Sequence, residues 1–258
     1  MRRGRHARRH TIAAAAFAAV SLAAIPSALA YRPFDGTDAA VADQGEMEIE
    51  FQPIGPLQEG ADRTLIAPVT VINYGFAKNW ELVIQGQLAT PLSSPGPSVF
   101  EDSAILLKHV LRPGSLQDQA GPSIATEFGV LLPDSIGPSG VGVSWAAIVS
   151  QRWDWGTVHF NVETALTRDH HADVFVSAIV EGPATWKVRP VAEIFYEDEF
   201  GQAETISALI GVIWQVNDKL AFDLGLREAR TNGHTVNEIR AGLTVGFSLD
   251  PARLTAHR

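Results

Sequence analysis

From residue 46 to residue 249 apolar and polar positions alternate with a period of two, and turn residues interrupt the alternation. That period belongs to extended chain with two unlike faces. In "WELVIQGQL", Trp80, Leu82, Ile84 and Leu88 share one side and Glu81, Gln85 and Gln87 the other. "VHFNVETAL" sets Val158, Phe160, Val162 and Leu166 against His159, Asn161, Glu163 and Thr167, and "KLAFDLGLR" sets Leu220, Phe222, Leu224 and Leu226 against Asp223 and Arg227. The last such stretch, "NEIRAGLTVGFSL", turns Ile239, Ala241, Leu243, Val245, Phe247 and Leu249 one way and Glu238, Arg240, Thr244 and Ser248 the other.

The pattern predicts twelve strands, at about 46–54, 63–76, 79–91, 101–112, 121–133, 141–153, 156–168, 172–182, 187–198, 204–216, 219–230 and 235–249. Their lengths approach the roughly nine to eleven residues a tilted strand needs to cross a bilayer, and an even number suits a closed bacterial barrel. The second segment is the least regular, with Pro68 inside it and apolar residues on both faces. Proline within a strand normally demotes it.

The connections alternate too. Those near residues 78, 155 and 217–218 are tight, whereas "TPLSSPGPSVFE", "PDSIGPSG", "TRDHHAD", "EDEFGQAE" and "REARTNGHT" read as longer or more polar loops. Short turns at one end and long loops at the other describe an all-β, transmembrane antiparallel up-and-down β-barrel of about twelve strands, residues 46–249, with both termini in the periplasm. "LRPGSLQDQAG", at the short-turn end, is longer than this pattern predicts. Aromatics mark the two ends: Tyr74, Phe76, Trp80, Trp153, Trp155, Trp186, Trp214, Phe222 and Phe247 at the periplasmic interface, and Trp145, Phe195, Tyr196 and Phe200 at the opposite one. Two such belts are expected where rings sit at headgroup level. The alternative is a soluble sandwich with aromatics capping its core.

Composition sharpens the picture at the N-terminus. "MRRGRHARRH", an apolar alanine-rich run and "PSALA" read as a secretory signal peptide over residues 1–30, cleaved after Ala30 and directing the chain to the bacterial outer membrane. The remainder keeps 15 of the 20 basic residues and all 29 acids, a charge of about −14, which excludes nucleic acid as a partner. Cysteine is absent, so packing or sheet closure must hold the chain. Beyond residue 30 no apolar run is long enough for a membrane helix, yet closed strands can span a bilayer without one. Residues 31–45 read as a periplasmic extension or a plug, and residues 250–258 as a C-terminal tail.

The stretches "YGFAKNWELVIQGQL", "DSAILLKHVL", "GPSIATEFGVLLPD", "VHFNVETAL", "LAFDLGLREAR" and "GLTVGF", in this order, resemble the meta-pathway of phenol degradation family of transporter-like outer-membrane proteins. The resemblance implies an outer-membrane barrel that moves small, often aromatic or hydrophobic, compounds. It carries no catalytic motif onto this chain. Arg240, Gly242, Val245 and Phe247 also fit the spacing that resembles the recognition signal of the barrel-assembly machinery, although "DPARLTAHR" follows where such signals usually end the chain.

If the apolar faces meet outer-membrane lipid, the opposite faces line the interior. The lumen-lining candidates are Glu81, Gln85, Lys108, Glu127, Arg152, His159, Asn161, Glu163, Arg189, Glu193, Asp223, Arg227 and Arg240, with Glu48 and Glu50 on the first strand. Charges of both signs suit either a water-filled path for a small-molecule solute or a set of salt bridges closing a narrow barrel. The interface candidates are Trp80, Trp153, Trp155, Trp186, Trp214 and Phe247.

"RDHHAD" offers two histidines beside acids, but adjacent residues on extended chain point opposite ways, so His170 and His171 do not share one ion easily. His159, Asn161 and Glu163 share a face, the minimum for an acid/base relay, without a serine two residues away. No phosphate-binding glycine loop, zinc motif or nucleophile elbow occurs, and no cofactor is implied. The sequence therefore favours a channel or transporter over a non-conducting anchoring barrel, and either over an outer-membrane hydrolase.

Overall fold

The computed structural model describes residues 32 to 249. The leader and cleavage site expected over residues 1–30, and the tail at 250–258, lie outside the described residues. The strands are β1 (Glu46–Ile54), β2 (Pro56–Glu59), β3 (Asp62–Ala77), β4 (Trp80–Pro91), β5 (Val99–Arg112), β6 (Ser123–Leu131), β7 (Gly142–Trp153), β8 (Gly156–Leu166), β9 (Ala172–Glu181), β10 (Val188–Glu199), β11 (Ala203–Asn217), β12 (Leu220–Thr231) and β13 (His234–Ser248).

From β2 to β13 each strand pairs antiparallel with the next in sequence. The sheet closes because β1 and β2 share one stave: β1 pairs with β13 and β3, and β2 pairs with the same two strands further along. The result is a closed antiparallel barrel of twelve staves, which leaves no free edge. The extra short strand arises where the first stave breaks at Gly55, between Pro53 and Pro56. Opposite this break β3 bulges between Ile66 and Val69, and Pro68 sits in the bulge where no ladder donor is required. The proline is accommodated within a single strand of 16 residues.

One barrel end, the terminal rim, holds the start of β1, the end of β13 and the connections at 78–79, 113–122, 154–155, 182–187 and 218–219; the far rim holds the others. Two far-rim loops are shorter than expected. "EDE" continues β10, so only residues 200–202 turn, and β12 runs on through Thr231 to a two-residue turn at Asn232 and Gly233. Their φ angles of 49° and 85° are those of a tight hairpin turn with both central residues left-handed, which Asn-Gly accommodates with little strain.

The outward face is apolar along the middle of the strands. On β11 Ile206, Ile210 and Trp214 are more than half exposed, while Leu209 and Ile213, between them, are buried. No helix among the described residues is long and apolar enough to cross a membrane. The interior has no single core: small apolar clusters sit around Ile148 with Ala125 and Leu116, around Val83 with Leu106, and around Val191 with Ile213. Polar side chains occupy most of the space between them.

Candidate functional site

The inward positions of β4, β5, β7, β8, β10, β12 and β13 are occupied by groups that grip the segment preceding β1. Residues 32–42 do not pack on one wall; they run round the inside of the barrel, meeting the strands nearly in their spatial order. The Ala42 amide donates to Glu81 on β4, Lys108 on β5 donates to the Thr37 hydroxyl at 2.9 Å, and the Ala39 amide donates to the Ser150 hydroxyl on β7 at 2.9 Å. Asn161 on β8 accepts from the Thr37 amide at 3.1 Å and donates to its carbonyl at 2.9 Å. Glu193 on β10 receives the amides of Asp35 and Gly36, both at 2.8 Å. Arg32 reaches Asp223 on β12 and Gln52 on β1.

The reason this irregular stretch is stable inside a barrel lies in its backbone. Its amides have no ladder, so wall carboxylates, a hydroxyl and an amide side chain take the place of strand partners. Close approach is needed at Gly36, where a Cβ would collide with the Ser177 hydroxyl, and at Gly75, where one would meet the carbonyls of Ala42 and Asp43. The long connection 113–122 closes the same arrangement from below. Its 3-10 turn Ser115–Gln117 buries Leu116 against Ala39, and Gln117 donates to the Ala39 carbonyl at 3.0 Å. This inward packing gives the connection's unexpected length a physical role.

Among the described residues, cavities of three sizes lie along the lumen. The outermost, about 680 Å³, lies under the far rim and has Phe34, Asp35, Arg227, Arg240 and Glu238 among its lining residues. The next, about 210 Å³, is bounded by residues 34–42 and the walls of β1 and β3–β9. A third, about 20 Å³, lies beside Glu48, Arg189 and Lys219 near the terminal rim. The first two cavities share Glu50 and Glu163 and the last two share Glu48, and their volumes fall from the far rim to the terminal rim.

The thirteen lumen candidates divide accordingly. Glu81, Gln85, Lys108, Glu127, Asn161 and Glu163 border the middle cavity, Arg227 and Arg240 the outer one, and Arg189 the smallest. Glu193 and Asp223 are covered by the N-terminal segment. Arg152 stands at the terminal rim, 4.0 Å from Asp118 of the 113–122 connection, with a third of its side chain exposed.

His159 is almost fully buried, with Nδ1 2.7 Å from the Ser150 hydroxyl and Nε2 3.1 Å from Glu181. The serine absent at two-residue spacing is thus supplied across the strand pair, because Ser150 and His159 are in register. Glu181 is also held by Arg189 at 3.2 Å, and Ser150 is covered by Ala39, so the trio braces the wall and the segment over it.

The interface candidates Trp153, Trp155, Trp186 and Trp214 are exposed on the outside at the terminal rim, with Trp80 and Phe247 partly covered on the same face. Trp153 stacks on Trp155 at 5.4 Å and Trp80 on His109 at 4.0 Å. Phe195 does not belong to the opposite belt. It shares the parity of Glu193 and Glu197, points inward, and is buried 5.1 Å from Phe175 with the Arg227 guanidinium 5.2 Å above its ring. Strict alternation along β9 and β10 places both phenylalanines inside; the residues of the N-terminal segment carry no such periodic signal. In "RDHHAD", Arg168 clips the 132–141 loop, donating to the Leu132 carbonyl at 2.6 Å and facing Asp134 at 3.3 Å.

The Asp35 carboxyl is gripped from two strands. Arg240 meets it at 2.8 and 3.1 Å and Arg227 at 3.5 Å. Burial alone would raise its pKa, but the guanidinium groups of Arg240, Arg227 and Arg32 outweigh that and hold it below the usual aspartate range.

No family model matches the chain, and no curated protein sequence is significantly similar to it. Its fold is shared with solved outer-membrane barrels. The COG4313 outer membrane channel from Pseudomonas putida F1 superposes with a TM-score of 0.61 at 9% identity, over 83% of this chain and 100% of that one. The KdgM porin does so with a TM-score of 0.55 at 11% identity, over 78% and 99%.

Proposed function

We propose that this chain is an outer-membrane channel for small solutes, in which residues 32–44 act as a built-in constriction. The observation that carries this reading is the graded lumen: a closed barrel with an apolar outside encloses a polar, narrowing space lined by charged groups. An apolar band of this kind is what a bilayer requires of a barrel, and a solvated charged interior is what a permeant requires of a path. The terminal rim, with its outward tryptophans and mostly short turns, is assigned to the periplasmic side.

The shared fold with two outer-membrane proteins named as a channel and a porin supports the same reading. The sequence resemblance to the phenol-degradation transporter family adds small aromatic compounds as candidate solutes. Outer-membrane lipid is then the partner of the outward face, and the barrel-assembly machinery the partner during biogenesis.

Fractionation and liposome swelling test the proposal together. The protein is expected to fractionate with outer membrane, to resist carbonate extraction, to migrate differently on gels before and after heating, and to let small solutes into liposomes. Extraction without detergent would return the fold to a soluble class, whereas normal insertion without swelling would favour a non-conducting, anchoring barrel.

A further inference from the structure

The charges of the lumen are not balanced along the path. The middle cavity is lined by seven carboxylates and one ammonium group, Lys108, and the outer cavity by ten carboxylates and four guanidinium groups. Every one of those cations already lies within 3.4 Å of a carboxylate, as in Lys108 with Asp38 and Arg240 with Asp35. The strand-borne cations Lys108, Arg227 and Arg240 hold the N-terminal segment, and Arg168, in the 167–171 loop, holds Asp134 of the loop before β7. The surplus facing the open space is negative, and a narrow passage with walls of one sign concentrates the opposite ion.

A second observation gives the surplus a shape. Phe175 on β9 is in register with Glu163 on β8 and with Glu197 on β10, so its ring stands between two inward carboxylates at one level of the wall. Glu163, Asp173 and Glu197 make no ion pair among the described residues. Phe175 and Phe34 both border the outer and the middle cavity, which places phenyl rings and Glu163 at the junction a solute must pass. A ring flanked by carboxylates suits a cation that is partly hydrocarbon: the charge meets the acids and the ring face, and the carbon skeleton lies on the ring. The same wall already holds one such contact, where Arg227 covers Phe195 beside Phe175.

We propose that the lumen selects cations over anions, and that Phe175, with Glu163 and Glu197 beside it, receives the ammonium group of a small organic amine. This rests on the channel reading and adds the solute class to it.

The test uses the refolded full-length protein in planar bilayers near pH 8, where free carboxyl groups are ionised. Under a KCl gradient the reversal potential is expected to show K⁺ favoured over Cl⁻ by about tenfold, the lower end of what a one-sign cleft achieves. Benzylammonium, added as its chloride, is expected to enter and slow the K⁺ current; benzoate, of similar shape and opposite charge, is not. Glu163→Gln with Glu197→Gln is expected to lower the cation preference by roughly two- to threefold per charge, as one charge acting through water across about 7 Å would. Phe175→Leu is expected to weaken the benzylammonium effect and leave the K⁺ to Cl⁻ ratio unchanged. Glu228→Gln, the same change on the outside of the barrel, serves as control and should alter neither.

Equal or anion-favouring permeability, or a ratio indifferent to the double substitution, would overturn the inference and leave the channel reading standing. Absence of current from both the natural sequence and an Asp35→Asn variant would remove the channel reading and this inference with it.

Discussion

Asp35 and Arg240 lie 205 positions apart and meet in a two-point ion pair of 2.8 and 3.1 Å. Arg240 also donates to the Pro33 carbonyl at 2.9 Å and to Glu238 at 2.9 Å, so one guanidinium ties the N-terminal segment to the closing strand. Since β13 is also the strand that seals the barrel against β1, closure of the sheet and positioning of the segment depend on the same element.

Asp35→Asn is expected to weaken this attachment by about 1–3 kcal/mol, the range for a charge-assisted hydrogen bond at a partly solvated site. The barrel itself is expected to form normally, with unchanged heat-modifiable migration. Limited proteolysis from the terminal rim should then cut within residues 32–44 of the variant faster than in the natural sequence.

The pH dependence of that difference follows from the sign of the Asp35 shift. Its pKa in the folded chain is held below the ordinary value of 3.8, so the ion pair contributes stability that is complete above that value and disappears as pH falls through the lowered one. The gap in thermal midpoint between the natural sequence and Asp35→Asn should therefore be constant from neutral pH down to about pH 5 and close only in stronger acid. A gap that closes between pH 7 and pH 5 would contradict the assignment.

Gly36→Val probes the segment by shape instead of charge. A side chain at position 36 would strike Ser177 and Asn161, both on the wall, so the segment must move inward or detach. Faster exchange of the amide hydrogens of residues 35–39 is expected, with the amides of β10 and β11 unaffected. Unchanged protection at Asp35 and Gly36 would mean that the wall, and not the segment, yields.

The outward face is tested at mid-strand. Ile210 is 64% exposed and Leu209 beside it 2%, so Ile210→Arg places a charge where the account puts lipid. A loss of about 2–4 kcal/mol in bilayer folding stability is expected if that position is near the midplane. A soluble barrel would tolerate arginine at so exposed a position.

The strands were legible because their signal is local. Alternation in "VHFNVETAL" or "KLAFDLGLR" depends only on which face each residue takes, and the closed barrel keeps that assignment. The break at Gly55 and the bulge at Pro68 were harder to read, since each is defined by its partner across the ladder. At Phe195 two local signals conflict, nearness to a strand end and parity with Glu193, and the parity decides its inward position. The course of residues 32–42 is carried by amides bonding to Glu81, Ser150, Asn161 and Glu193 on four different strands, and no spacing within the segment encodes contacts so distant.

Single-channel recording of the refolded protein, alone and with Asp35→Asn or Gly36→Val, decides whether residues 32–44 narrow a conducting lumen. Small but resolvable currents are expected from the natural sequence and several-fold larger ones from either variant, since both free a segment that narrows the lumen. Properly inserted barrels that stay silent in all three forms would contradict that expectation.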